Sequence, residues 1–276
     1  MSPQIIDYPR YAWQLLHGQR SWMERTISEQ RQRDIAACLD VGRRLRVLDL
    51  ANGRLRPQYV LLKAMGHDVF GIDLVNRPLT SWKDRAYSVA RWLYTWNLGL
   101  PGAAEQARTL ACGNVGALPY PDASFDLVTS IAAFEHFLDV PSVVAELHRV
   151  LRPGGVAWVA VHLFSCPSGG HNLSFTEYPL RTLPKGVEPW DHLRKRRLPF
   201  SVPLNEWRKD QYLGQFGRYF EIVDSYCATR EGEELLTPEI EAELADYSRD
   251  ELTCNSLVIV ARKPAEQNVP YATRTS

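Results

Sequence analysis

The chain has 276 residues, 45% of them hydrophobic, which is enough to bury a full core as one embellished domain. Its 32 basic residues balance 32 acidic ones, so the electrostatic footprint of a nucleic-acid binder is missing and a nucleic-acid partner is not expected. The five cysteines are far apart with no CxxC pair, so neither a zinc site nor a disulfide framework is readable and no metal is expected. The N-terminus lacks a basic start followed by an apolar run, and no window approaches the roughly 18 apolar residues of a membrane span. A cytoplasmic location and no membrane span are expected.

Residues 11–40 read as an amphipathic helical region, with Trp13, Leu16, Trp22, Ile27, Ile35 and Leu39 near helical spacing, and residues 1–44 as an N-terminal helical cap. From Leu45 the pattern changes to short apolar runs separated by helix-length stretches. Residues 46–51 and 68–74 read as strands around a helix at 56–66 that admits Pro57 in its first turn, which makes a right-handed βαβ unit. The alternation continues with a helix at 81–96, strands at 108–114 and 125–131, a helix at 140–151 and a strand at 155–164. Such a pattern predicts an open α/β sheet covered on both faces.

Residues 165–203 break the rhythm and read as a long insertion, followed by a helix at 205–216 and a strand at 220–227. An acidic insertion at 229–250 and a last strand at 256–262 complete a domain spanning 45–264, with 265–276 as a tail. Glu231, Glu233, Glu234, Glu239, Glu241 and Glu243 read as a solvated helix face.

Ligands of open α/β sheets bind beyond the carboxyl ends of the strands. The first strand ends in Asp49-Leu50-Ala51-Asn52-Gly53, a small-residue turn that lets backbone N–H groups approach a ligand. Asp73 ends the second, where a carboxylate can accept from both hydroxyls of a ribose, with Leu74 beside it. These features alone indicate a nucleoside cofactor or an ordinary βα turn.

Two further segments narrow the choice. GNVGALPYPDASFDLV (113–128) and HRVLRPGG (148–155) resemble class I S-adenosylmethionine-dependent methyltransferases of the small-molecule type. The resemblance covers residues 45–162 and implies a Rossmann-like seven-stranded sheet of order 3-2-1-4-5-7-6, the last strand antiparallel, with helices on both faces. It implies S-adenosylmethionine as cofactor, held by Asp49, Ala51, Asn52, Gly53, Asp73, Leu74, Asn114, Val115 and Ile131, with Leu118, Pro119, Phe125 and Asp126 in structural roles. The chain departs from the family pattern at Leu55, where the first motif ordinarily has its last glycine, at Asn114 in place of Asp, and at Ile131 in place of Asn.

The acceptor side is sought at the strand ends and in the long insertion, because a hydroxyl acceptor needs a base within hydrogen-bond reach. His171, after a Gly169-Gly170 hinge, and His136, in an FEHF run, are the candidate catalytic residues. Each also reads as structural or solvated. His162, Trp190, His192 and Arg194 are candidate acceptor contacts; His162 equally reads as a core residue and Trp190 as a pin for the loop. Lys195-Arg196-Arg197 reads as a solvated basic run or a recognition patch for an anionic substrate. A small-molecule or glycan acceptor is expected, while a non-catalytic donor-binding scaffold and a nicotinamide-dependent oxidoreductase remain as alternatives.

Overall fold

The computed structural model describes residues 8–74, 82–100, 107–171, 183, 186–200 and 202–265. Two helices, α1 (Tyr8–Leu16) and α2 (Gln19–Ile35), precede β1 (Arg46–Leu50), α3 (Pro57–Ala64), β2 (Asp68–Asp73) and α4 (Trp82–Trp96). The middle of the chain gives β3 (Leu110–Cys112), β4 (Phe125–Ile131), α5 (Val140–Val150) and β5 (Leu151–His162). Then follow α6 (Asp191–Arg194), α7 (Lys209–Gly217), β6 (Glu221–Arg230), α8 (Pro238–Glu243), α9 (Arg249–Thr253) and β7 (Cys254–Arg262).

The strands form one seven-stranded sheet of order β3-β2-β1-β4-β5-β7-β6, the order the sequence resemblance implies. Only β7 is reversed: it runs antiparallel to both β5 and β6, and the other pairs are parallel. Period-two alternation divides the side chains between two covered faces. Leu48, Leu50, Val159 and Val161 pack with Val143 and Leu147 of α5 and Phe216 of α7, while Val47, Val69, Leu127 and Trp158 pack with Ile35, Tyr59 and Tyr94 of α2, α3 and α4. At about 25 cal/mol per Å² of apolar surface removed from water, these layers supply the main driving force for the fold.

The LPYPD and LRPGG segments serve the sheet. Arg149 of α5 donates to the carbonyl oxygens of Leu118 and Tyr120 at 2.9 and 2.7 Å, and Glu146 accepts from the Leu118 N–H at 2.6 Å. Asp126 accepts from Arg43 at 2.9 Å, Arg152 at 2.8 Å and the Arg46 N–H at 2.8 Å. Burial opposes its ionisation, but the Arg46 N–H and the two guanidinium groups outweigh burial and hold its carboxyl below the usual range. Gly155 is required by close approach, since a Cβ there would meet Arg152 O at 2.9 Å and Asp126 O at 3.1 Å.

Several local expectations change. Trp13, Leu16 and Trp22 are exposed, and α2 instead turns Ser21, Ser28, Arg31 and Ile35 inward. The expected strand at 108–114 is reduced to Leu110–Cys112 behind a 3-10 turn, and β5 extends back through the LRPG segment. The two insertions pack on each other: Trp190, Leu236, Ile240, Leu244 and Leu252 form a separate small core. Residues 172–182 and 184–185 of the first insertion and 266–276 of the tail lie outside the described residues. Among the described residues no helix is long and apolar enough to cross a membrane.

Candidate active site

β1 leads into a turn in which Ala51 and Gly53 take positive φ of 54° and 62°, which bends the chain back over the strand ends before α3. The Gly53 N–H donates to Asp73 Oδ2 at 2.8 Å, fixing the carboxylate at the end of β2. Beside them a cavity of about 420 Å³ opens at the carboxyl ends of β1, β2 and β4. Ala51, Asp73, Leu74, Asn114 and Val115 line it together with Ala133, His136, Phe137 and Ser142. The volume falls in the range of small-molecule and cofactor sites. The Oδ1 of Asn114 accepts from the Gly116 N–H at 2.9 Å, so the amide is held at the rim by its own loop.

The remaining expected donor contacts stand elsewhere. Asp49 is buried beneath the turn rather than in the cavity lining. Burial pushes its carboxyl up to about 7, against the pull of the Arg31 guanidinium, which desolvation in turn pushes down to about 10. Asn52 is buried with both amide atoms unpartnered, and it lies so close to β2 that a Cβ on Gly71 would come within 2.1 Å of its Nδ2. Ile131 packs into the core face shared with Trp158 and Leu127. Leu55, the departure from the first motif, packs against the same face, so the missing glycine is replaced by a core contact.

Around the end of β5 the structure gathers histidines. His136 lines the cavity, and its Nδ1–H donates to Pro203 O at 3.1 Å, which leaves Nε2 as the lone-pair nitrogen. Desolvation lowers its pKa. His171 does not line the cavity but packs edge-on against His136 with ring centroids 4.9 Å apart, and its Nε2 lies 3.1 Å from His162 Nδ1. Desolvation takes His162 down to about 4 and His171 to about 3, so both rings are neutral at pH 7. Glu135, 2% exposed, sits beside them with neither carboxylate oxygen in a well-formed hydrogen bond. Burial pushes it up to about 8, against a partial pull from the backbone N–H groups of Glu135 and His162.

The other acceptor expectations are corrected. Trp190 and His192 are each 1% exposed and cannot touch an acceptor. The Trp190 indole N–H donates to Ser165 O and Leu252 O, and His192 Nε2–H donates to Phe164 O at 2.7 Å, so both pin the insertion to the core. Arg194 pairs with Glu243, and Lys195, Arg196 and Arg197 pair with Glu188 and Glu206, so each cation of the basic run has an acidic partner. Gly169-Gly170 is no hinge: a Cβ on Gly169 would meet Phe164 O at 2.3 Å and one on Gly170 would meet His192 Cβ at 2.6 Å. Glu231 is buried rather than solvated and accepts from the Ser168 N–H at 2.9 Å. Glu231 and Ser168 were missed because nothing local in an acidic run distinguishes the one carboxylate that folds inward.

Comparisons with known proteins agree with this architecture. Residues 48–159 match the family described as a methyltransferase domain. The chain is 32% identical to a demethylmenaquinone methyltransferase of Thermus thermophilus over 160 residues, covering 57% of this chain and 66% of the relative. It is 30% identical to the 27-O-demethylrifamycin SV methyltransferase of Amycolatopsis mediterranei over 110 residues, covering 40% of this chain and 36% of the relative. The matched segments thus span less than two thirds of either relative. The crystal structure of an S-adenosylmethionine-dependent methyltransferase from Mesorhizobium loti shares the fold at a TM-score of 0.50 and 21% identity, covering 83% of this chain and 95% of that one. Residues 48–159 are thus similar to methyltransferase domains, on a fold shared with an S-adenosylmethionine-dependent methyltransferase.

Proposed function

We propose that this chain binds S-adenosylmethionine in the cavity at the ends of β1, β2 and β4 and transfers its methyl group to a small-molecule acceptor. The observation that carries the reading is the fixed Asp73 carboxylate at the edge of a nucleoside-sized cavity. Asp73 would hold the ribose hydroxyls, Ala51 and Gly53 would let the chain approach the methionine end, and Asn114 with Val115 would border the adenine. The bound donor supplies an electrophilic methyl group; the residues of this chain orient the acceptor for in-line displacement and take its proton. His136 is placed for proton removal, since it lines the cavity with a neutral ring whose Nε2 lone pair is left over. Relatives named for demethylmenaquinone and demethylrifamycin support a small-molecule acceptor over a glycan.

Calorimetric titration with S-adenosylhomocysteine tests the donor assignment, and absence of heat at millimolar ligand would sink it. In folded Asp73→Ala the affinity should fall about tenfold or more, because a hydrogen bond to a charged group is worth about 1.5–3 kcal/mol. Transfer from labelled donor into a small-molecule extract should be lost in His136→Ala by about 10²-fold or more for a hydroxyl acceptor, with S-adenosylhomocysteine binding retained.

A further inference from the structure

One cluster around the buried Glu135 is left over once the donor cavity has been assigned. One coordinating atom each from Glu135, His162 and His171 lies within 4.8 Å of the others, with the His171 ring against that of His136. The three come from separate places in the chain: the 3-10 turn after β4, the last residue of β5, and a loop residue held at a positive φ of 48°. An L-residue in the left-handed region is strained, and such strain persists only where the surroundings fix it. Here it turns the His171 ring onto His162 and His136.

The environment of His162 orients the cluster. Ser168 Oγ–H donates to the Glu231 carboxylate, so the hydroxyl oxygen is left to accept from His162 Nε2–H at 2.7 Å and from Asn255 Nδ2 at 3.1 Å. Ser168 and Asn255 thus hold the His162 ring at Nε2, with Nδ1 facing His171 Nε2 3.1 Å away. Hydrogen-bonded support of the far ring nitrogen by a carboxylate relay is how metal-bound imidazoles are oriented. The spacing also fits, because two ligands each about 2.1 Å from a cation at near-tetrahedral or octahedral angles stand about 3.0–3.4 Å apart. On the third side, Glu135 presents two buried oxygens with no well-formed hydrogen bond, a carboxyl whose ionised form the fold itself does not compensate.

We propose that Glu135, His162 and His171 bind one divalent transition-metal ion. Two imidazoles and one carboxylate select a borderline cation of the zinc or iron(II) class, and three protein ligands leave positions open for water or a ligand oxygen. His136 Nε2 lies 3.8 Å from Glu135 Oε1, so the ion would sit one ring away from the donor cavity. Resting on the methyl-transfer reading, the open positions take an acceptor bearing a hydroxyl or enol oxygen, whose proton a bound cation makes easier to remove.

The test is titration of the chelator-treated full chain with Co²⁺, followed by its visible absorption, and then displacement by Zn²⁺ with the metal content measured. One equivalent of Co²⁺ with nitrogen–oxygen ligand bands, displaced by one equivalent of Zn²⁺, is expected. Glu135→Gln, which keeps the shape of the side chain, and His171→Ala should each weaken Co²⁺ binding by 100-fold or more. Ser168→Ala should weaken it by about 10–100-fold through the His162 orientation, and His17→Ala, at an exposed ring, should leave it unchanged. Failure of the wild-type chain to take up stoichiometric Co²⁺ or Zn²⁺, or uptake that survives Glu135→Gln and His171→Ala undiminished, would overturn the assignment. S-adenosylhomocysteine titration of the same samples keeps the two readings apart, since donor binding without metal sinks only the metal site and metal without donor binding sinks only the methyltransferase.

Discussion

Arg31 is the side chain on which the first motif depends. It is fully buried on α2, donates to Ser28 Oγ at 3.0 Å and Thr129 Oγ1 at 3.3 Å, and lies over the Trp158 ring at 5.7 Å from its centroid. Its charge partly offsets that of Asp49, which burial alone would drive further from ionisation. Because Arg31 holds the Ser28 and Thr129 hydroxyls as well as easing the Asp49 charge, Arg31→Met should lower the unfolding free energy by about 1–3 kcal/mol, and Arg31→Met combined with Asp49→Asn should recover part of it; chemical denaturation of the three variants checks both.

His192 gives a pH-dependent counterpart. Desolvation takes its folded pKa down to about 4, whereas the unfolded chain titrates near 6.5. As pH falls the unfolded state takes up the proton first, so the stability is whole above about pH 6.5 and is lost progressively toward pH 4. The loss integrates to about 3 kcal/mol for this one residue. His162 and His171 shift in the same direction, so the wild-type slope contains several protons, and His192→Gln should shrink it by about one. Urea midpoints between pH 4 and 7 would expose an unchanged slope.

Among the elements, the strands were the most legible. β4 is buried along nearly its whole length, and its expected bounds, marked by Phe125, Leu127, Val128 and Ile131, coincide with Phe125–Ile131. α2 was legible as a helix but not in its orientation: its buried side is built from Ser21, Ser28 and Arg31, which a hydrophobic pattern assigns to solvent. The insertion was legible as an insertion, yet its interior depends on pairings between distant residues, such as Ser168 with Glu231 and Trp190 with Leu252. No local period encodes those. In the donor site the backbone turn and Asp73 could be read, because a strand end and a carboxylate are local features, whereas the inward rotation of Ile131 is set by packing.

The packing of the two insertions turns Trp190 into a structural element in its own right. Its ring fills the small core shared with Leu236, Ile240, Leu244 and Leu252, and its N–H satisfies two carbonyl groups from separate segments. Trp190→Ala should cost about 3–5 kcal/mol by cavity formation and leave those carbonyls unsatisfied. The expected result by thermal unfolding is loss of stability with S-adenosylhomocysteine affinity within a few-fold of wild type, since the donor cavity contains no residue of that core.

For the whole molecule, the reversed seventh strand has a consequence for how the protein comes into being. β7 lies between β5 and β6 and supplies the hydrogen-bonding partner of both, yet it leaves the ribosome after them. Until residue 262 has emerged, β5 exposes one open backbone edge and β6 has no partner strand among those already made. Synthesis runs at about 5–20 residues per second, so the roughly hundred residues after β5 represent seconds during which Trp158, Val159 and Val161 border an unclosed sheet. Nascent chains stalled just before Cys254 should therefore be protease-sensitive beyond β5 and bound by general chaperones. Chains extended by a C-terminal linker long enough to free Arg262 from the exit tunnel should be resistant, which makes pairing of β7 the step that closes this sheet.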